Sequence, residues 1–306
     1  MDQNFEINCQ SSYISYINIA DDMLGLCRLF ADDTSVGERS LEINHLRSLF
    51  NTDLNNITHW AKQWLVKLNL EKTEIMYMYF STRPSPVDLY FSTDNIKIKP
   101  VDAHKHLGVT LIADGKWSKH INNVVVKASR QIAVLRKIKF KVSRNVLENI
   151  YMTFNRPLLE YSCEVGDSCT VADAGRLEQL QLEAARIVTG LTAYASLSSL
   201  YAETRWEKLN TRGKFRKLSL FYNIVMGDTP DYLSDLLPRT VNQANNYNLR
   251  NANNFAIPRC RLTLYQNSFF PATIHLWNNL PQYIRDSPSN YILKSRLKTY
   301  YITTIQ

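Results

Sequence analysis

The chain has 306 residues, 36 Lys/Arg against 28 Asp/Glu, a formal net charge of +8 and 45% hydrophobic content, a composition that can bury a sizeable core and leaves room for about two domains. It holds no apolar run of about 18 residues, and its opening Met1-Asp2-Gln3-Asn4-Phe5-Glu6 has neither signal-peptide nor lipidation character, so a soluble intracellular protein with no membrane partner is expected. Cys9, Cys27, Cys163, Cys169 and Cys260 stand far apart with no Cys-x-x-Cys spacing, which argues against both a disulfide framework and a zinc site.

Leu24, Leu26, Leu29 and Phe30 lead into Asp32 and Asp33, and Val36 follows, which predicts a strand, a tight turn and a returning strand. Adjacent carboxylates on such a turn suit a hard cation such as Mg²⁺. They equally suit an ordinary turn, where Asp is favoured for its own backbone chemistry. From 40 to 68, Leu46, Leu49, Leu54, Ile57, Trp60, Ala61, Trp64 and Leu68 recur at helical spacing, giving one long helix or two shorter ones with the Trp pair as core. Residues 75–80, 87–91, 95–99 and 106–112 are β-rich and punctuated by Pro84, Pro86 and Pro100, and read as strands. An α+β unit with an antiparallel sheet therefore ends near Gly115.

The remainder reads as helical. Ile121, Val125, Ala128, Ile132 and Leu135 form one apolar stripe, with Lys119, Lys127, Arg130 and Lys137 mostly away from it. Ser143 is the expected N-cap of a helix that Pro157 breaks or kinks, Asp173 and Gly190 bracket the next, and Thr211 and Gly227 a third. The stretch 239–260 is rich in Asn and reads as a loop or linker. Beyond it Phe269, Phe270, Trp277, Leu280 and Tyr283 form a terminal cluster expected to pack against the bundle.

Charge is unevenly distributed. Residues 1–96 carry 7 Lys/Arg against 13 Asp/Glu, and residues 97–306 carry 29 against 15; between 97 and 144 twelve bases face only Asp102 and Asp114. Such a patch is the footprint of a polyanion-binding surface, or else a solvated helix face.

The Phe-Ala-Asp-Asp box at 30–33 is followed by Leu68-Asn69-Leu70-Glu71-Lys72-Thr73, then His106-Leu107-Gly108-Val109, Trp117-Ser118-Lys119-His120, Asn155-Arg156-Pro157-Leu158-Leu159-Glu160-Tyr161, and finally Asn267-Ser268-Phe269-Phe270-Pro271 with Leu276-Trp277-Asn278-Asn279-Leu280-Pro281. In this order the boxes resemble the reverse transcriptases of non-LTR retrotransposons of the LINE, CR1 and jockey kind, over nearly the whole chain. The resemblance implies the carboxy-terminal part of such an enzyme: a partial palm over 1–115, a mostly α-helical thumb over 116–238, and an Asn-rich linker with a small aromatic segment over 239–306.

It further implies two-metal nucleotidyl transfer on an RNA template and a DNA primer. Asp32 and Asp33 are the Mg²⁺-holding pair, and Lys72 is a candidate for contacting the leaving group, although a lysine there is equally well structural. Leu107 and Gly108 form a primer-grip turn, where glycine permits close backbone approach. Lys116, Lys119, Lys127, Arg130 and Lys137 contact phosphates without reading sequence.

The departures carry equal weight. The family's catalytic site needs a further Asp on an earlier palm strand, and Asp21 and Asp22 stand too close to the box to replace it. The family's Gln-Gly box is also lost, for Gln10-Ser11-Ser12 precedes Tyr16-Ile17-Asn18. The isolated chain is thus expected to be a truncated, inactive polymerase fragment that an upstream polypeptide would complement; the alternative is a non-catalytic basic nucleic-acid-binding protein.

Overall fold

The computed structural model describes residues 3–10, 24–30, 33–79, 97–166, 168–244 and 252–304. The fold is α+β and divides into two compact units, Met1–Lys119 and His120–Gln306.

In the first unit β1 (Gln3–Gln10), β2 (Leu26–Phe30), β3 (Asp33–Ser40), β4 (Glu74–Met78) and the two-residue β5 (Lys99–Pro100) form a sheet in the order β2-β3-β1-β4-β5. All pairings are antiparallel except that of β4 with β5. The expected strands before and after the acid pair are β2 and β3, with Phe30 opposite Asp33, while residues 31–32 of the expected turn lie outside the described residues. The strand at the middle of the sheet, β1, adds to the expected elements; its sequence signal is the alternation Phe5, Ile7, Cys9 among polar residues.

The helical spacing after residue 40 resolves into one helix, α1 (Ile43–Gln63), whose Leu46, Phe50, Leu54, Ile57, Trp60 and Ala61 pack with Val36, Ile75 and Ile98. Trp60 joins this core, but Trp64 is 49% exposed. The helix stops at Gln63, so the i, i+4 pairing that would carry Trp64 inward is not continued. Residues 87–91 and 95–96 lie outside the described residues. The single strand read at 106–112 is instead a hairpin of β6 (Ala103–His106) and β7 (Val109–Ile112), because Leu107 and Gly108 take φ of 45° and 86°. Two positive φ values between paired residues are what a tight hairpin turn requires.

The second unit is helical: α2 (Ser118–Ile138, entering it at His120), α3 (Arg144–Ile150), a π-helical turn Tyr151–Asn155, α4 (Arg156–Glu160), α5 (Cys163–Gly166), α6 (Val171–Thr189), α7 (Leu197–Thr204) and α8 (Leu209–Met226). Four short helices, α9 (Asp231–Ser234), α10 (Val241–Ala244), α11 (Thr263–Gln266) and α13 (Gln282–Arg285), accompany α12 (Phe269–Asn278) and α14 (Asn290–Thr304). Ser143 precedes α3 as expected, and Pro157, which lacks an N–H, follows the π turn without ending the helical path.

Asp173 is not the cap of α6. Thr170 is, its Oγ1 accepting the Asp173 N–H at 3.1 Å and donating to Asp173 Oδ2 at 3.0 Å. Likewise α8 starts before Thr211, at Leu209. Gly190 and Gly227 do end α6 and α8, at φ 74° and 76°.

One core of this unit joins Ala128, Ile132 and Leu135 of α2 to Tyr151, Ala184, Val188, Leu200 and Trp206. A second joins Leu218, Phe221 and Tyr222 of α8 to Ile274, Trp277, Leu280, Ile284, Leu293 and Leu297. Of the expected terminal cluster, Trp277 and Leu280 are core and Phe269 and Phe270 pack against it half-buried, but Tyr283 is 56% exposed. In the Asn-rich stretch Thr240 bridges to Phe255, whose backbone Asn278 holds through both N–H and C=O, at 3.1 and 2.9 Å; residues 245–251 lie outside the described residues. Among the described residues no helix is long and apolar enough to cross a membrane.

Candidate active-site hairpin and nucleic-acid interface

Strand alternation decides where Asp33 points. Val36 faces α1 in the core, so Thr34 and Glu38 share that side, while Asp33 lies on the opposite face of the sheet with its cross-strand neighbour Phe30. Asp33 Oδ1 is buried and, among the described residues, receives no hydrogen bond, an arrangement that costs about 1–3 kcal/mol. The chemistry of a carboxylate fits a hard cation. Among the described residues, no group of three His, Cys, Asp or Glu side chains completes a metal shell. Asp32 lies outside the described residues.

The root of the hairpin is clamped by residues that the sequence did not single out. Asp53 of α1 is fully buried, and its two oxygens accept the N–H groups of Leu24 at 2.8 Å and Gly25 at 3.1 Å. Glu38 of β3 stands beside it, and burial, followed by the Asp53 charge, pushes the Glu38 carboxyl above its ordinary range. Gly25 is obligatory here, because a Cβ would meet Glu38 Oε1 at 2.7 Å and the Gly37 carbonyl at 2.8 Å. The signal was legible: Asp53 falls seven residues after Leu46, on the apolar stripe of α1.

Lys72 sits in the turn before β4. Its N–H donates to the Asn69 carbonyl at 3.2 Å, the Thr73 hydroxyl donates to the same carbonyl at 3.0 Å, and the Lys72 side chain is exposed. Since β3 and β4 both run antiparallel to β1, they begin at one end of the sheet. Asp33 and the turn of Lys72 share that end, two strand spacings or about 10 Å apart. The Leu107-Gly108 turn belongs to the separate β6–β7 hairpin, and that hairpin is tied to the sheet by His104, whose Nδ1 lies 2.8 Å from Glu74 Oε2 on β4.

Of the five predicted phosphate contacts, Lys116 differs from the rest. It precedes α2 and is ion-paired to Asp114 at 2.9 Å. Lys119, Lys127, Arg130 and Lys137 are all exposed on α2, while Ile121, Ala128, Ile132 and Leu135 are buried. At 100° per residue, Lys119, Arg130 and Lys137 fall within about 20° of one another and roughly opposite the buried stripe. Val126 and Val134 are exposed on the same side, giving a mixed cationic and apolar face. His120, buried at the start of the helix, has its pKa lowered by burial and then by the Lys127 charge, so it adds no cation to this face at neutral pH.

The Asn-Arg-Pro-Leu-Leu-Glu-Tyr box has a structural use as well. Glu160 is 4% exposed and accepts from Arg212 Nη2 at 3.1 Å, from Arg212 Nε, and from Arg216 Nη2 at 2.9 Å, with Arg156 at 3.6 Å. Burial works against the charged form, but the Arg212 and Arg216 hydrogen bonds and charges win and hold the Glu160 carboxyl below its ordinary range. The box thereby fastens α4 to α8.

Three known proteins from Drosophila melanogaster are similar to this chain. The RNA-directed DNA polymerase from mobile element jockey is 25% identical over 190 residues, 61% of this chain and 20% of that protein. The probable RNA-directed DNA polymerases from transposon X-element and transposon BS are 23% and 21% identical, over 58% and 65% of this chain and 19% and 22% of their own length. The chain thus spans about a fifth of the length of these relatives. No family model matches the chain, nor does any solved structure. With three such similarities, each over about three-fifths of its length, the chain is similar to the RNA-directed DNA polymerases of mobile elements.

Proposed function

We propose that this chain supplies the acid-pair end of the palm, the primer-grip turn and the template–primer-binding helix of an RNA-directed DNA polymerase. The observation that carries this reading is the α2 face, where Lys119, Lys127, Arg130 and Lys137 stand on the side away from the buried stripe. Four such cations bind phosphates without reading bases, and the interleaved Val126 and Val134 suit sugar edges. The test is fluorescence anisotropy with an RNA template annealed to a DNA primer. Four phosphate contacts give a log–log salt slope of about −3 to −4, hence roughly a hundredfold loss of affinity between about 50 and 200 mM salt. Lys127→Ala, Arg130→Ala and Lys137→Ala should each flatten that slope by just under one unit. Binding insensitive to salt sinks the reading.

At the acid pair, Asp32 and Asp33 would hold Mg²⁺, which when bound activates a primer 3′ oxygen and stabilises departing pyrophosphate. The chain's own contributions are positional. The Leu107-Gly108 turn presents backbone to the primer strand, Lys72 places a cation at the same end of the sheet as Asp33, and Asp53 holds the acid hairpin through Leu24 and Gly25. In this reading these 306 residues need the Asp of an earlier palm strand, a place that Asp21 and Asp22 stand too close to the acid pair to fill. We therefore expect them to synthesise no DNA alone and to do so when a polypeptide carrying that Asp is added. Mg²⁺-dependent primer extension by the chain alone, lost in Asp32→Asn, overturns this. No extension in either mixture, with salt-sensitive binding intact, favours a non-catalytic nucleic-acid-binding protein.

A further inference from the structure

We infer that the groove between α8 and α14 is a second polyanion site, shaped for a single-stranded nucleic-acid backbone. Arg212 and Arg216 of α8 and Lys294 and Lys298 of α14 line a cavity of about 600 Å³ together with Phe215 and the two acids Glu164 and Glu207. Each helix contributes its cations at i and i+4, about 6 Å apart along the axis, close to the spacing of successive phosphates on an extended strand. The two rows are held in register where α14 begins: the Ser219 hydroxyl of α8 donates to Asn290 Oδ1 at 2.8 Å, and the Tyr222 hydroxyl donates to the carbonyl of Ser287, just before α14, at 2.7 Å. Leu293 and Leu297 are fully buried in the core, which leaves Lys294 and Lys298, one position further on, at the rim.

The arginine row is preset. Glu160 from beneath, Glu207 at 3.0 Å from Arg212 and Glu164 at 3.6 Å from Arg216 neutralise Arg156, Arg212 and Arg216 and orient their guanidinium planes. Lys294 and Lys298 are exposed and enter no ion pair among the described residues, so they supply the net positive charge of the groove. Phe215, edge-on to Tyr301 with ring centroids 5.2 Å apart, adds an aromatic wall. A cationic groove with an aromatic wall is the usual means of binding a single strand without sequence preference. The choice of nucleic acid over other polyanions rests on the nucleic-acid reading of α2.

The test measures binding of a fluorescein-labelled oligouridylate of about 12 nucleotides to the full chain, to Lys294→Glu/Lys298→Glu, and to the milder Lys294→Gln/Lys298→Gln, with circular-dichroism melting to establish that each is folded. The charge-reversed pair should bind at least tenfold more weakly near 100 mM salt, and the glutamine pair should lose about 1.4 units of log–log salt slope, two single-strand phosphate contacts. A variant neutralised at Lys127, Arg130 and Lys137 should lose template–primer duplex binding yet keep that share of the oligouridylate slope, which separates failure of the α2 reading from failure of this one. An unchanged slope in the folded glutamine pair overturns the proposal. So does a polyglutamate peptide that competes as well as oligouridylate at equal charge, since the occupant would then be an acidic peptide.

Discussion

Replacing Glu160 with Ala should destabilise the second unit by about 3 kcal/mol. Removing one partner of a buried charge cluster costs roughly 3–5 kcal/mol, and the lower end applies because the side chains of Arg212 and Arg216 are 27% and 44% exposed and can recover water or turn to Glu207 and Glu164. For a unit of this size each kcal/mol moves the midpoint by about 2–4 °C, so the thermal transition should fall by about 6–12 °C. Near-ultraviolet circular dichroism is the assay of choice, since Trp206 stacks on Tyr151 at 4.1 Å and reports this core. A double-mutant cycle with Arg212→Ala should give a coupling of at least about 1 kcal/mol. The Glu160 carboxyl sits below its ordinary range, so its contribution is present above the unfolded-state pKa and is lost as pH falls through the folded-state value. Wild type and Glu160→Gln should accordingly converge in acid. A midpoint for Glu160→Ala within about 1 kcal/mol of wild type, or a coupling near zero, would refute the clamp.

Glu38 has the opposite sign. Its pKa is raised by burial and then by Asp53, so its contribution is full below the unfolded-state pKa and disappears as pH rises through the folded-state value; Glu38→Gln, able to donate to Asp53, should raise first-unit stability at neutral pH by about 1 kcal/mol and flatten that pH dependence in urea titrations. Gly25→Ala should cost about 2 kcal/mol, because the rigid Gly37 carbonyl blocks the added methyl; unchanged denaturant midpoints would rule out the close approach. Leu107→Asn should stabilise the β6–β7 hairpin by about 1 kcal/mol, since asparagine tolerates the positive φ that leucine is forced into. Asp33→Asn should respond less than wild type to added Mg²⁺ in thermal melts, having lost a carboxylate that suits the cation; an equal Mg²⁺ response contradicts that reading.

Local pattern was enough for much of this protein. The alternation before Asp32 and after Asp33 marked the β2–β3 hairpin, the 3.6-residue spacing marked α1 and the two faces of α2, and Gly190 and Gly227 marked helix ends, because each depends on chemistry within a few residues. The boxes, read in order, also pointed to the polymerase relatives. What only tertiary structure decided lies between segments distant in sequence. The polar stretch Gln3–Gln10 becomes the middle strand because β3 and β4 pair with it from both sides, a long-range register that no local window contains. Asp53 looks like a misplaced polar residue on an apolar stripe until the backbone N–H groups of Leu24 and Gly25 arrive to be bonded. Glu160 becomes a clamp, and Lys294 and Lys298 face an arginine row, only once α8 and α14 have packed through Leu218, Leu293 and Leu297. Burial and pairing are properties of contact, and contact between distant segments is decided by the packed core rather than by neighbours along the chain.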